Sequence, residues 1–285
     1  MIARRTSGGY PRGASFVSVV VPAYNEAKSI AVTLREICLY FEEKPYDFEV
    51  IVAADGDDGT RELVRELAVD ERRLTVIGNR TRHGKGYGVR EGIGLARGDV
   101  IGFVDADNKT PISEFEQFEQ QFAAGADVVI GSRGLPESRV ERRQPWYRRV
   151  GAKLFAIGMH AVIGLNDIVD TQCGFKFFRR DVAVDLFSRQ RIDGYMFDVE
   201  ILYLATQTGY RIAQVPVRWR DDGDSRLQLV RGNVRNAIDL FRIYFGRYEP
   251  IVRPERVATR GTEPPGALAP NPQPAAAEDG VEHPV

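Results

Sequence analysis

The chain has 285 residues, 43% hydrophobic and 28% charged, with a formal net charge of −1, a make-up that fits a soluble globular protein of one large domain or two small ones. So small a net charge excludes an overall field for nucleic acid and confines any electropositive site to a local patch. Two cysteines, Cys38 and Cys173, are too few for a disulfide framework or a thiolate metal site and read as buried, reduced thiols of a cytosolic protein.

The first residues, "MIARRTSGGYPRGAS", are basic and Gly-rich, with no apolar run after the arginines. They do not read as a signal peptide, and residues 1–14 are expected to be a flexible N-terminus. No stretch approaches the roughly 20 apolar residues of a membrane span. "FVSVVVP" (16–22) reads as a buried strand, followed by a helix capped by Asn25 with Ile30, Leu34, Ile37, Cys38 and Phe41 on one face. "FEVIVAA" (48–54) is a second strand. "DDGTRELVRELA" (57–68) is a turn and a helix with Leu63, Val64 and Leu67 inward, and "LTVIG" (74–78) is a third strand. A Gly-rich turn and a short helix lead to strand "VIGFVDAD" (100–107), a helix over 113–123 and strand "DVVIG" (127–131).

This alternation predicts an α/β fold with a mostly parallel sheet covered by helices on both faces. In such sheets ligands bind beyond the carboxyl ends of the strands. The polar clusters lie there: "AYNE", "DGDDGT", "RHGKG", "DADN" and "GSR" follow the five strands in order. Asp105 and Asp107 repel unless a cation or a shared proton lies between them. With no His or Cys beside them, hard oxygen ligands favour Mg²⁺ or Mn²⁺ shared with a diphosphate, although a turn role for Asp107 is the plain alternative. Gly84, Gly86 and Gly88 let backbone amides approach an anion, with charge from Lys85 and a helix starting just beyond; a merely flexible turn is the alternative. Neither a Walker loop nor the dinucleotide fingerprint is present.

Taken together, "VVVPAYNEAKSI", "DGDDGT", "GKGYGVREG", "FVDADN" and "GSR" resemble the family 2 glycosyltransferases of the GT-A fold. "DTQCGFKFFRRD" (170–181), "FDVEIL" (197–202) and "DDGDSRL" (221–227) narrow the resemblance to the polyprenyl-phosphate sugar synthases, especially the dolichyl-phosphate β-glucosyltransferase type and, less closely, the dolichyl-phosphate mannose synthase type. The resemblance spans about residues 16–245. It departs from the family at "AADGDDGT", where Ala54 stands in place of a first aspartate and the loop is shortened.

The resemblance implies an inverting transfer of glucose or mannose from UDP-glucose or GDP-mannose to a polyprenyl phosphate. Pro22, Tyr24, Asn25, Glu26 and Asp55 would line the nucleoside pocket, with Lys85 and Gly86 near the phosphates. Asp105, Ala106 and Asp107 would form the nucleotide and metal site, Asp107 being the more direct ligand of Mg²⁺ or Mn²⁺. Asp170 would stand near the reacting centre as a base or to orient the acceptor, with Asp198 or Glu200 facing the site or lying on the surface. His83 and His160 receive no role.

An anionic acceptor oxygen needs little general-base help, so cations matter more. Arg133 and Arg226 are candidates to clamp the acceptor phosphate. The loop "PESRVERRQPWYRRVGAK" (136–153) adds Arg139, Arg142, Arg143, Arg148, Arg149 and Lys153 beside Trp146 and Tyr147.

Apolar "LFAIGMHAVIGL" (154–165) and amphipathic "LVRGNVRNAIDLFRIYFGRY" (229–248), with Val230, Val234, Ile238, Phe241 and Phe245 on one face, fit peripheral contact with a membrane surface or a membrane partner. They also fit ordinary core helices. The organisation expected is a catalytic domain over 15–228, an amphipathic helix over 229–249 and a Pro-rich disordered tail over 250–285. The location expected is cytoplasmic, either free or peripheral on the cytoplasmic membrane face. A soluble acceptor, and a non-catalytic nucleotide-sugar-binding protein or a nucleotidyltransferase, are the competing readings. The altered "AADGDDGT" turn alone supports decayed catalysis, and a nucleotidyltransferase would carry a Gly-rich signature where "PAYNEAKS" stands.

Overall fold

The structure, a computed structural model, describes residues 16–140, 163–220 and 229–248. The apolar, β-branched runs become strands: β1 (Phe16–Tyr24), β2 (Asp47–Asp55), β3 (Leu74–Ile77), β4 (Val100–Val104) and β5 (Val128–Ser132), with short β6 (Arg139–Val140), then β7 (Phe175–Arg179), β8 (Ile212–Pro216) and β9 (Arg218–Trp219). Between them run α1 (Ile30–Glu42), α2 (Thr60–Asp70), α3 (Lys85–Leu95), a 3₁₀ turn (Ile112–Glu114) leading into α4 (Phe115–Ala123), α5 (Arg180–Ser188), α6 (Phe197–Thr208) and α7 (Leu229–Phe245).

Seven strands form one sheet in the order β3-β2-β1-β4-β7-β5-β8, and β6 pairs with β9. All neighbours in the large sheet are parallel except those of β7, which runs antiparallel to both β4 and β5. The alternation of side chains along β1 sorts the helices. Val17, Val19 and Val21 face a core built with α1, α2 and α4, including Phe41, Phe115, Phe118 and Phe122. Val20 faces the opposite core, with α3, α5, α6 and Ile243 of α7. Helices α1 and α4 bury the stripes their 3.6-residue period predicts, whereas α6 is buried nearly all round.

Beyond the pairing of Val20 with Phe103, β1 keeps only β2 as a neighbour. One edge of its carboxyl end therefore opens into a cleft between β1 and β4. Chain order places β2 and β3 on one side of β1 and β4 on the other, so this is the switch point where such sheets bind ligands.

Two expectations change here. Asn25 does not cap α1, whose first turn begins after Ser29. It takes a left-handed conformation (φ 55°), and its side-chain oxygen accepts from the backbone N–H of Asp57 at 3.2 Å, tying the loop after β1 to the loop after β2. The strand read as 100–107 ends at Val104, which leaves the two aspartates in the loop beyond it.

Strand β7 carries a lysine through the core. Lys176 is fully buried, and its ammonium donates to the Cys173 carbonyl and to Asp198 Oδ1, both at 2.6 Å. Removing one partner of such a pair leaves an unanswered buried charge. Lys176→Met should lower unfolding free energy by about 3–5 kcal/mol in urea titrations, and Lys176→Met combined with Asp198→Leu should regain most of the loss. A single variant as stable as the parent would contradict the assignment.

Candidate active site

Three loops meet at the open end of β1 and β2. Asp58 accepts from Ala27 N, from Thr60 N and from the Thr60 hydroxyl. Its desolvation is outweighed by those bonds, led by the Thr60 hydroxyl, and its carboxyl lies below its ordinary value. Gly56 is required where it stands: at φ 112°, a Cβ would fall 2.0 Å from Asn25 Oδ1. Buried Arg61 donates to the carbonyls of Ala54 and Asn79 at 3.0 and 2.8 Å, which binds the end of β2 to the loop after β3.

Asp55 accepts from the backbone N–H groups of Asn79 and His83 at 3.0 and 2.7 Å. The His83 ring lies 3.5 Å from Asp55 and stacks on Tyr87, centroids 4.9 Å apart. Arg82 sits over the Tyr24 ring at 4.4 Å and donates to the Tyr195 hydroxyl at 3.1 Å. Pro22 and Glu26 border the same loops; Glu26 N donates to the Thr60 hydroxyl, and the Ser29 hydroxyl donates to Glu26 Oε2. The structure thus gathers Pro22, Tyr24, Asn25, Glu26 and Asp55 at one end of the cleft. It adds Arg61, Arg82 and His83, which sequence reasoning passed over because their partners lie in other loops.

The Gly-rich turn has a packing role as well. A Cβ on Gly84 would fall 2.2 Å from the Asp193 carbonyl oxygen, and one on Gly86 2.5 Å from that of Ile192. The Tyr87 N–H is given to the Asp193 carbonyl at 3.2 Å. These glycines let α3 seat against residues 190–194, and that seating places Lys85 in the cleft. Its ammonium lies 2.7 Å from Asp105 Oδ1 and 5.9 Å from both the Phe103 and Phe197 rings. Burial works against its charge, but Asp105, with Asp198 behind it, holds the ammonium well above its ordinary value.

At the end of β4, Asp105 fits because residue 174 is glycine. A Cβ there would lie 2.0–2.3 Å from the Asp105 carboxyl atoms. Ala106 is buried, and its carbonyl accepts from the Thr33 hydroxyl at 2.8 Å. Asp107 is held twice by Lys109. It accepts from Lys109 N at 3.3 Å in a turn, and the Lys109 ammonium lies 3.0 Å from its other oxygen.

On the far side, Arg133 at the end of β5 grips Asp170 through Nε and Nη2 at 2.7 and 2.9 Å, and its backbone N–H adds a third bond at 2.9 Å. Burial alone would raise Asp170; the Arg133 charge outweighs it and holds the carboxyl below its ordinary range. Trp219 lies under both Arg133 (5.5 Å) and Lys109 (6.0 Å). Asp198 and Glu200 are not surface residues. Burial, against Lys176 and Lys85, leaves the Asp198 carboxyl above its ordinary value. Glu200 accepts from Arg191 N and Ile192 N and from the Tyr248 hydroxyl. Arg139 is exposed on β6. Arg226, the basic residues 142–153, Trp146, Tyr147, His160 and the tail lie outside the described residues.

Four cations in and behind the cleft are paired with carboxylates: Lys85 with Asp105, Lys109 with Asp107, Arg133 with Asp170 and Lys176 with Asp198. Among the described residues no group of three or more His, Cys, Asp or Glu side chains gathers as a metal site. Asp105 and Asp107 nevertheless fit a hard divalent cation whose remaining oxygens come from a diphosphate and water. A cation taking up those carboxylates would release two lysines to face phosphate oxygens.

Residues 18–187 match the family profile described as Glycosyl transferase family 2. A dolichyl-phosphate beta-glucosyltransferase of Trichomonas vaginalis is 36% identical over 242 residues, covering 80% of this chain and 70% of that protein. The human protein of the same name is 33% identical over 231 residues, covering 74% and 69%. Among solved structures, glucosyl-3-phosphoglycerate synthase from Mycobacterium tuberculosis, in complex with Mn²⁺, UDP and glucosyl-3-phosphoglycerate, superposes with a TM-score of 0.57 at 19% identity, covering 81% of this chain and 78% of that one. The last likeness speaks for the GT-A-type fold alone.

Gly174→Ala should keep the fold but move the Asp105 carboxylate off Lys85 in a crystal structure of the variant. An Asp105–Lys85 contact unchanged from the parent would contradict the close-approach account.

Proposed function

The chain belongs to the family 2 glycosyltransferases, and from that premise we propose that it transfers glucose from UDP-glucose to a polyprenyl phosphate of the dolichyl class, with inversion at the anomeric carbon. The observation that carries the acceptor assignment is Arg133, held in a two-pronged grip by Asp170. Both residues lie in the stretch shared with relatives named for dolichyl phosphate.

In this reading Asp55, Tyr24 and Asn25 receive the nucleoside, with Pro22 and Glu26 shaping the loop. Lys85 faces the diphosphate. Asp105 and Asp107 hold Mg²⁺ or Mn²⁺, which when bound would supply Lewis-acid stabilisation of the departing nucleoside diphosphate. The acceptor phosphate oxygen attacks the anomeric carbon from the face opposite the leaving group; the bond to the diphosphate oxygen breaks as the new C–O bond forms.

Arg133 keeps guanidinium N–H donors beyond those given to Asp170, and arginine suits planar, bidentate phosphate recognition. Asp170 is a poor general base because Arg133 lowers its proton affinity and occupies both of its oxygens; it positions Arg133. The attacking oxygen is already anionic, so no protein base is required. Arg226 is proposed as the second arm of the clamp.

Among the described residues no helix is long and apolar enough to cross a membrane. A polyprenyl acceptor nonetheless brings the protein to a membrane surface, which we place at the cytoplasmic face. A soluble acceptor is the alternative, and the test below separates the two.

Purified protein should transfer glucose from UDP-glucose to a polyprenyl phosphate in detergent with Mn²⁺ or Mg²⁺, and EDTA or Asp107→Ala should abolish it. Transfer undiminished by either would refute the metal assignment, and glucosylation of a soluble hydroxyl compound only would refute the lipid one. Arg133→Ala should cut lipid transfer on the order of 100-fold, for about 2–3 kcal/mol of lost positioning, with UDP affinity by calorimetry barely changed. Full transfer by that variant would remove Arg133 from the acceptor site.

A pH profile tests Asp170. Toward acid, the rate should fall with the second ionisation of the acceptor phosphate, near pH 6 by analogy with phosphoserine. Asp170→Asn should be slower yet keep that limb; its disappearance would make Asp170 the base.

A further inference from the structure

Residues 190–195 form a wall shared by two parts of the molecule. On one side they carry the donor end of the cleft. Gly84 and Gly86 seat against the carbonyls of Asp193 and Ile192, Gln190 Nε2 donates to the Gly86 carbonyl at 2.9 Å, Arg90 pairs with Asp193 at 2.8 Å, and Tyr195 receives Arg82. On the other side they meet the C-terminal helix. The inner face of α7 presents Asp239 and Ile243, both buried, and Asp239 and Arg235 lie against Gly194. Just past α7, the Arg247 carbonyl accepts from Arg191 Nη2 at 2.8 Å. The Tyr248 hydroxyl donates at 2.7 Å to Glu200, whose carboxylate also holds the N–H groups of Arg191 and Ile192. The Arg191 guanidinium closes over the Tyr248 ring at 5.0 Å.

The outer face of α7 is apolar and open. Ile238, Phe241, Tyr244 and Phe245 are 47%, 58%, 50% and 71% exposed, with Phe241 and Phe245 stacked at 6.3 Å. Three arginines and a single aspartate lie along the helix, and Arg247 follows it. Arg235, Arg242 and Arg247 are exposed, Arg242 pairing with Asp239 at 3.1 Å; the net positive charge beside an apolar, aromatic stripe fits an anionic bilayer interface better than a neutral protein surface.

Resting on the lipid-acceptor reading above, we propose that this face of α7 docks on an anionic bilayer and that residues 190–195 couple docking to the donor pocket, so that nucleoside diphosphate binds more tightly on the membrane than in solution. Docking fixes α7, α7 and Tyr248 fix the 190–195 wall, and the wall fixes the turn that presents Lys85 and Arg82. The coupling is reciprocal, so donor nucleotide strengthens membrane binding by the same factor.

The test uses the full chain, UDP with Mn²⁺, and vesicles of phosphatidylglycerol and phosphatidylcholine. Calorimetry should give a UDP Kd about tenfold lower with vesicles than without, within the usual range of coupling between sites. Vesicle sedimentation should show the same factor gained on adding UDP. Phe241→Ser with Phe245→Ser should abolish sedimentation and leave the solution UDP Kd unchanged. Tyr248→Phe should sediment like the parent but lose the tightening. Vesicle binding without any change in UDP Kd overturns the coupling while leaving the lipid-acceptor reading intact. Failure of the parent chain to sediment overturns the docking surface, and a dimer that dissociates in the Phe241/Phe245 variant would reassign that face to self-association. Absence of UDP binding with and without vesicles overturns the donor reading and this proposal with it.

Discussion

A lysine buried in the middle of a sheet needs an anion, and the placement of that anion sets much of this cleft. Lys176 enters through β7, which runs antiparallel to both of its neighbours, and Asp198 answers it from the first turn of α6. Such a pair contributes little net stability against an apolar substitute, because desolvation offsets attraction. What it does fix is position. Asp198 also supports the charge of Lys85, Lys85 meets Asp105, and Asp105 fits only because β7 is preceded by Gly174. One antiparallel strand thus brings the carboxylate of the β4 loop, the lysine of α3 and the head of α6 into one volume.

The matched charges of the cleft bear on how a glycosyltransferase can use it. A site whose lysines and arginine are already answered by carboxylates does not attract a diphosphate by net charge. A divalent cation, were it held by Asp105 and Asp107, would change that balance by drawing their charge away from Lys85 and Lys109. The same pairing suits Asp170 to positioning rather than to proton abstraction, as proposed above. A carboxylate gripped by three N–H donors of one arginine orients that arginine, which suits an acceptor whose attacking oxygen carries its own charge.

Much of this was legible in the sequence because the strands are apolar runs and each ends in a polar cluster. Period-two and period-3.6 patterning gave β1 to β5 and the helices between them, and the carboxyl-end rule brought "AYNE", "DGDDGT", "RHGKG", "DADN" and "GSR" to one edge. What escaped depends on contacts between distant segments. Lys176 within "FKFF" reads locally as a surface residue and is buried only because Asp198 waits across the sheet. Asn25 reads as a helix cap, yet its side chain serves the neighbouring loop. The seating of Gly84 and Gly86 on residues 192–193 has no local signal beside the anion cradle they suggest. Arg82 and His83 show no local pattern, and gain meaning only from Tyr24, Tyr195 and Asp55. The apolar face of α7 was visible as periodicity, but periodicity does not say whether a stripe points to core or solvent; the burial of Asp239 and Ile243 decides that it points out.

The central claim is an inverting transfer of glucose to a lipid-borne phosphate, and the linkage formed reports on it most directly. Lipid product made from UDP-glucose, whose sugar is α-linked, would be isolated and its anomeric proton and phosphorus coupling read by NMR. The account predicts a glucose joined to the polyprenyl phosphate through a β-configured phosphodiester. An α-linked product, or recovery of unmodified polyprenyl phosphate while glucose appears on a soluble hydroxyl, would contradict it.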